Sequence, residues 1–224
     1  MPLAQEDLAG FTAHVRKAMF DGARTHRWPD NFTNLWPNIT PEYRFQHTLH
    51  VLKFVEMLQR EDGGDLEVLQ TSAIFHDVSH FSCHYDVHGR VSAEMARTYL
   101  VERGLDSTFV DRVYQTIDDH ASDKPPSYYL TDAPVESIIL IEADLADKLG
   151  PNGVVTHLLL SGYNRRLWQA TNEALERFVI GRGERALSSG KIRWTPAGRR
   201  LIEERLAWVR RFLGEIREDI ACVF

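Results

Sequence analysis

Ser72-Ala-Ile-Phe-His-Asp-Val-Ser-His80 is the stretch on which the reading of this chain turns. An apolar run that reads as a helix from about Leu66 to Phe75 delivers an imidazole and a carboxylate, His76 and Asp77, side by side at its C-terminal end. Side by side there, both can reach one cation. His47, in Tyr43-Arg-Phe-Gln-His-Thr-Leu-His50, and Asp144, in Ile141-Glu-Ala-Asp-Leu-Ala-Asp-Lys148, offer further donors. Two imidazoles and two carboxylates suit a hydrated divalent ion such as Mn, Fe, Ni, Co or Zn. A closed structural zinc site would more often use thiolates, and Cys83 and Cys222 are the only two cysteines. The donor set therefore points to a site with open positions, and so to catalysis.

Working outward, apolar spacing is helical throughout. Leu8, Phe11, Val15, Ala18 and Met19 predict a first helix ending near Asp21-Gly22. Residues 25–42, rich in Pro, Asn and Trp, read as a long loop. A strong helix starts at Pro41 and stops at Glu61-Asp-Gly-Gly64. The polar, His-rich Ser79–His88 reads as a loop. Helices follow around Ala93–Leu100, closed by Gly104, and from Phe109 to His120. Asp123–Asp132, with Pro125-Pro126, reads as a loop, and Pro134 opens a helix running to Gly150. Leu158–Leu187 predicts one or two helices, and Thr195-Pro196 opens a long terminal one. No alternating strand pattern, repeat or linker is visible. The expectation is an all-α fold, with residues 1–224 as a single domain.

Composition narrows the function. With 43% apolar residues and 9 prolines in 224, the chain is expected to fold around a substantial core. A net charge of −6 argues against general nucleic-acid binding, which needs an excess of Lys and Arg. No apolar run approaches the roughly 18–20 residues of a membrane span. No secretion signal stands at the start and two distant cysteines make no disulfide framework, so a cytoplasmic location is expected. The apolar faces in 155–187 and 195–216 would complete the core or bury a homodimer interface.

Taken together, these motifs resemble the HD superfamily of metal-dependent phosphohydrolases, whose pattern is His, then His-Asp, then a distant Asp on a helical core. Tyr43–Val51 is similar to the first element, Ala73–His80 to the signature, and Glu142–Gly150 to the last. The resemblance covers about residues 41–153 and leaves an N-terminal segment and a helical extension at about 155–224. It implies His47, His76, Asp77 and Asp144 as ligands of a first ion. His50 competes with His47, which is preferred because Val51 then falls at the expected apolar position. His88 and His120 are similar to the third and fourth histidines of dinuclear members, including the HD-GYP phosphodiesterases. If they join, a second ion is held and Asp77 bridges the pair.

The same resemblance gives Asp77 and His80 catalytic roles. His80 stands where the HD-GYP branch has a phosphate-meeting Lys, and an imidazole there can hold a phosphate oxygen or protonate a leaving group. Lys148, one turn beyond Asp144, and Arg44, three before His47, are candidates to meet a substrate phosphate. The implied activity is hydrolysis of a phosphoester or phosphoanhydride of a small nucleotide-like substrate, with Mn, Fe, Ni, Co, Zn or Mg. The alternative is the branch in which mixed-valence diiron and oxygen cleave C–C or C–P bonds, because His-Asp-x-x-His occurs there as well. Gly181-Arg-Gly-Glu184 is no phosphate loop, since no strand precedes it. The arginines from Arg199 to Arg211, Arg205 included, read as the solvated face of the last helix.

Overall fold

Each helix begins and ends where local chemistry dictates. The computed structural model describes residues 5–25, 40–121 and 124–221. α1 spans Gln5–Thr25 and α2 spans Pro41–Asp62. The Thr40 hydroxyl accepts from the Tyr43 backbone N–H, Pro41 sits in the first turn, and Gly63, at φ 80°, lets the chain leave the helix. α3 spans Leu66–Phe75, with the Asp65 carboxylate accepting from the N–H groups of Glu67 and Val68. α4 covers His88–Glu102, α5 Ser107–Asp119, α6 Val135–Asp147 and α7 Gly150–Tyr163. α8 covers Trp168–Leu175, α9 Gly181–Ser188 and α10 Pro196–Ala221. Among the described residues these ten α-helices carry the fold and no strand occurs, so the class is all-α.

α3 is the central helix. Its Val68, Ile74 and Phe75 join Phe11, Val15, Met19, Ala96, Val113 and Ile117 from α1, α4 and α5 in one apolar cluster. Its Leu69 and Ala73 join Val51, Val55, Leu58, Ile139 and Leu140 from α2 and α6 in another. Burial on both sides explains why α3 is nearly all apolar, and each large side chain so buried contributes about 1.5–3 kcal/mol. A rigid α3 fixes the position of His76 and Asp77 immediately after it. A third cluster, including Leu149, Leu175, Ile202, Leu206 and Val209, packs the helices after residue 150 against the end of α6.

Several boundaries differ from expectation. α1 passes through Asp21-Gly22, because Gly22 marks a close approach rather than a stop: a Cβ there would sit 2.6 Å from Ser82 Oγ. Most of the expected loop at 25–42 lies outside the described residues. Within the stretch expected as a loop at 123–132, Tyr128–Asp132 form a π-helical turn held by the Tyr129 hydroxyl donating to the Asp119 carbonyl at 2.9 Å. The helix opened by Pro134 stops at Asp147, and Gly150, at φ 63°, starts α7 instead of ending a helix. The 158–187 region holds α7, α8 and α9, the last two joined by a π-helical turn at Glu176–Ile180. Arg205 leaves the solvated face expected for it: its guanidinium lies over Phe54 and donates to the Leu149 carbonyl at 2.9 Å, bracing the α6–α7 turn.

Candidate metal centre

Five helices aim polar side chains at one point. α2 supplies Arg44 and His47, both buried; the turn after α3 supplies His76 and Asp77; α4 opens with His88; α5 is capped by His120; α6 supplies Asp144. His47 Nε2 lies 3.3 Å from His76 Nε2 and 3.1 Å from Asp144 Oδ1. Asp77 Oδ2 lies 3.2 Å from His76 Nε2 and 3.5 Å from His47 Nε2, while its Oδ1 lies 3.5 Å from His88 Nε2. Two donor groups result, His47–His76–Asp144 and Asp77–His88–His120, within each of which the donor atoms lie within 4.8 Å of one another. Asp77 faces both. Gly89 makes the second group feasible, since a Cβ on it would come within 2.8 Å of the Ala121 Cβ beside His120.

All four imidazoles are oriented alike. His76 Nδ1 donates to the Ala73 carbonyl at 2.7 Å, and the Nδ1 atoms of His88 and His120 each donate at 2.5 Å, to the carbonyls of Tyr85 and Ile117. His47 Nδ1 donates to Asp147 Oδ2 at 2.6 Å. Carbonyl and carboxylate oxygens only accept, so each ring holds a proton on Nδ1 and, in its neutral form, carries a lone pair on Nε2 toward the centre. That tautomer and that outer bond are what a metal-bound histidine requires. His50 instead turns its Nδ1 to Asp147 Oδ1 at 2.9 Å, half exposed. Of the two competing histidines, His47 is the one that faces the centre.

The charges fit a cation. Burial alone would raise the pKa of Asp77, but the Arg44 guanidinium, 2.6 Å away, and His76 hold it well below the usual carboxylate range. Burial opposes ionisation of Asp144 too, and Lys148, His47 and His76 outweigh it. Burial, and then the charge of His76, pushes His120 down to about 3, which keeps it in the neutral, ligating form. Asp77 Oδ1 and Asp144 Oδ1 are buried without a hydrogen bond, and Asp77 Oδ2 has the ion pair with Arg44. Buried polar atoms are normally satisfied, and a cation where these oxygens meet the Nε2 lone pairs would satisfy the two Oδ1 atoms. The residues present fit a divalent metal ion.

Residues 44–150 match the HD domain family. This stretch of the chain is an HD domain. HD domains bind divalent metal ions, in keeping with the donors that converge here. No curated protein sequence matches the chain. Among solved structures, an HD-superfamily hydrolase from Bacillus thuringiensis superposes with a TM-score of 0.68 at 15% identity, covering 97% of this chain and 98% of its own. Bacillus subtilis YpgQ in complex with ADP gives a TM-score of 0.62 at 16% identity, covering 95% and 96%. A predicted HD superfamily hydrolase from an uncultured Thermotogales bacterium gives 0.58 at 18% identity, covering 92% and 91%. At such identities the likeness is one of fold, and it extends well beyond the HD domain into the helices of the C-terminal region.

All six expected ligands of the HD domain come together here. Arg44 and Lys148 line a cavity of about 480 Å³ with Asp77, Tyr85, Asp86, His88, His120, Ala121 and Asp144. Each cation currently sits on a carboxylate, Arg44 on Asp77 at 2.6 Å and Lys148 on Asp144 at 2.5 Å. His80 is buried and is not on the cavity wall. Burial, and then the charge of Arg44, depresses its pKa to about 2. Sequence reasoning missed Asp147, which orients His47 and also accepts from Asn152 Nδ2 at 2.6 Å. Its signal was its place three residues after Asp144, on nearly the same helical face. It also missed Tyr85, stacked on His88 with centroids 4.8 Å apart. Among the described residues no helix is long and apolar enough to cross a membrane.

Proposed function

We propose that this protein is a metal-dependent phosphohydrolase that opens a phosphoester or phosphoanhydride bond of a small nucleotide-like substrate. The convergence of four Nδ1-protonated imidazoles and two carboxylates carries the reading. His47, His76, Asp77 and Asp144 would hold one ion, and Asp77, His88 and His120 would hold a second. A bound divalent ion brings the pKa of its water toward 7 and neutralises phosphate oxygens. Arg44 and Lys148, which line the cavity beside Asp77 and Asp144, would meet the substrate phosphate. His80 is buried and neutral, a form too weakly acidic to protonate a leaving group near neutral pH.

The fold-level likeness to YpgQ, whose structure contains ADP, supports a nucleotide-like substrate. The apolar contacts of α10 with α6 and α7 support one domain over residues 1–224, and Cys83 as a free thiol suits a cytoplasmic setting. Metal analysis of the purified protein, joined to phosphate release across nucleotides, tests the activity. Two equivalents of metal and metal-dependent release are expected. Oxygen uptake with bound iron and no phosphate release would replace this reading with the oxygenase one.

A further inference from the structure

We infer that the cavity takes a phosphorylated compound bearing a planar ring, and that Tyr85 is the residue that stacks this ring and sets specificity. The inference rests on the phosphohydrolase reading and extends it to the part of the ligand that does not react. The cavity, at about 480 Å³, falls in the range of pockets that enclose a whole small organic ligand. Its wall is chemically divided. Arg44 and Lys148, beside Asp77 and Asp144, serve an anion with its cations. Tyr85 and Asp86 supply an aromatic face and a carboxylate.

Tyr85 is held in place on two sides. Its ring lies nearly parallel to His88, at 19°, and stands edge-on to His80, at 86°. Its carbonyl accepts the Nδ1–H of His88. The residue that orients a candidate ligand thus also presents an aromatic ring one layer away from it. Even so, Tyr85 is 47% exposed, so a large part of the ring stays open to the cavity that it lines. A pre-positioned, open aromatic face binds planar rings at little entropic cost. Asp86, paired on the surface with His84 at 3.3 Å, adds an acceptor for ring or sugar donors. It also repels a phosphate from that side, which directs the anion toward Arg44 and Lys148.

Calorimetric titration of two non-hydrolysable probes into the metal-loaded protein tests this: α,β-methylene-ADP and methylenediphosphonate, its headgroup alone. The wild-type protein should bind the nucleotide analogue about 10-fold tighter than the headgroup. Tyr85→Ala should erase that advantage, taken as the ratio of the two affinities within one protein, and Tyr85→Phe should keep it; unchanged circular dichroism verifies folding of both. Equal affinity for the two probes in the wild-type protein, or an unchanged advantage in Tyr85→Ala, overturns the role of Tyr85 while leaving hydrolysis standing. Failure of the headgroup itself to bind overturns both readings together.

Discussion

Asp147 Oδ2 lies 2.6 Å from His47 Nδ1, and both side chains are buried. The carboxylate fixes the ring orientation and raises the basicity of Nε2 on the far side, which faces Asp144 at 3.1 Å. Asp147→Asn keeps the size but offers at best a neutral acceptor. Affinity for the first metal ion should fall by about 10–100-fold, read by titration with a competing chelator. Helical circular dichroism should stay as it is. Unchanged affinity would reduce Asp147 to a structural residue.

Much of this was legible in the sequence because it depends on local order. Thr40-Pro41, Asp65, Pro134 and Thr195-Pro196 mark helix starts whatever surrounds them, and an apolar α3 could only be buried. His47, His76, Asp77 and Asp144 were readable as donors because each sits on or beside a helix whose apolar face fixes its direction, whereas His88 and His120 came from the resemblance to dinuclear HD members alone. Asp147 carried only the faint signal of its place one turn after Asp144, since only the tertiary approach of α2 to α6 gives a carboxylate at that position an imidazole to orient. Arg205 failed for the same reason: its spacing says solvent, but Phe54 and the Leu149 carbonyl lie across from it. The π-helical turns at Tyr128–Asp132 and Glu176–Ile180 depend on their anchors and leave no periodic trace.

Asp77→Ala removes the residue shared by both donor groups and leaves the Arg44 guanidinium buried without its partner. Loss of metal and of turnover should come with a destabilisation of about 3 kcal/mol in the metal-free protein. The double variant Asp77→Ala, Arg44→Met should recover most of that stability and none of the metal binding. Turnover persisting in Asp77→Ala would refute the assignment of the centre.

His88→Ala with His120→Ala leaves His47, His76 and Asp144 as they are. Metal stoichiometry should fall from two ions to one, measured by elemental analysis after dialysis. An unchanged value in the double variant would mean that the two residues hold no ion.

Gly198 lies against Glu142, a fully buried carboxylate on α6 that accepts from Thr195 N at 2.6 Å and from Thr195 Oγ1 at 2.7 Å. This clamp ties the start of α10 to the helix bearing Asp144. A Cβ at residue 198 would meet the Glu142 carboxylate, with Oε2 2.0 Å away, and would push it off the Thr195 clamp. Gly198→Ala should cost about 1–3 kcal/mol in denaturant unfolding, whereas Gly214→Ala, with open space around it, should not destabilise. Equal stability of the two variants would show that the clamp yields freely.

His157, on α7 and in neither donor group, gives the fold an acid limit of its own. The ring is buried, donates from Nδ1 to the Gly153 carbonyl at 2.9 Å and stacks on Phe178. Burial lowers its pKa below the usual 6.5; the Gly153 bond opposes this, and Arg182 and Arg166 reinforce it. The unfolded chain therefore takes up a proton near pH 6.5 while the folded one still refuses it. The stabilising contribution is complete above pH 6.5 and is lost as pH falls from there through the depressed folded value, at up to about 1.4 kcal/mol per pH unit. His157→Gln cannot titrate. Although less stable at neutral pH, it should lose less stability than the wild-type protein between pH 6.5 and 5.5, measured by urea unfolding. Parallel losses in the two proteins would place the acid sensitivity elsewhere in the fold.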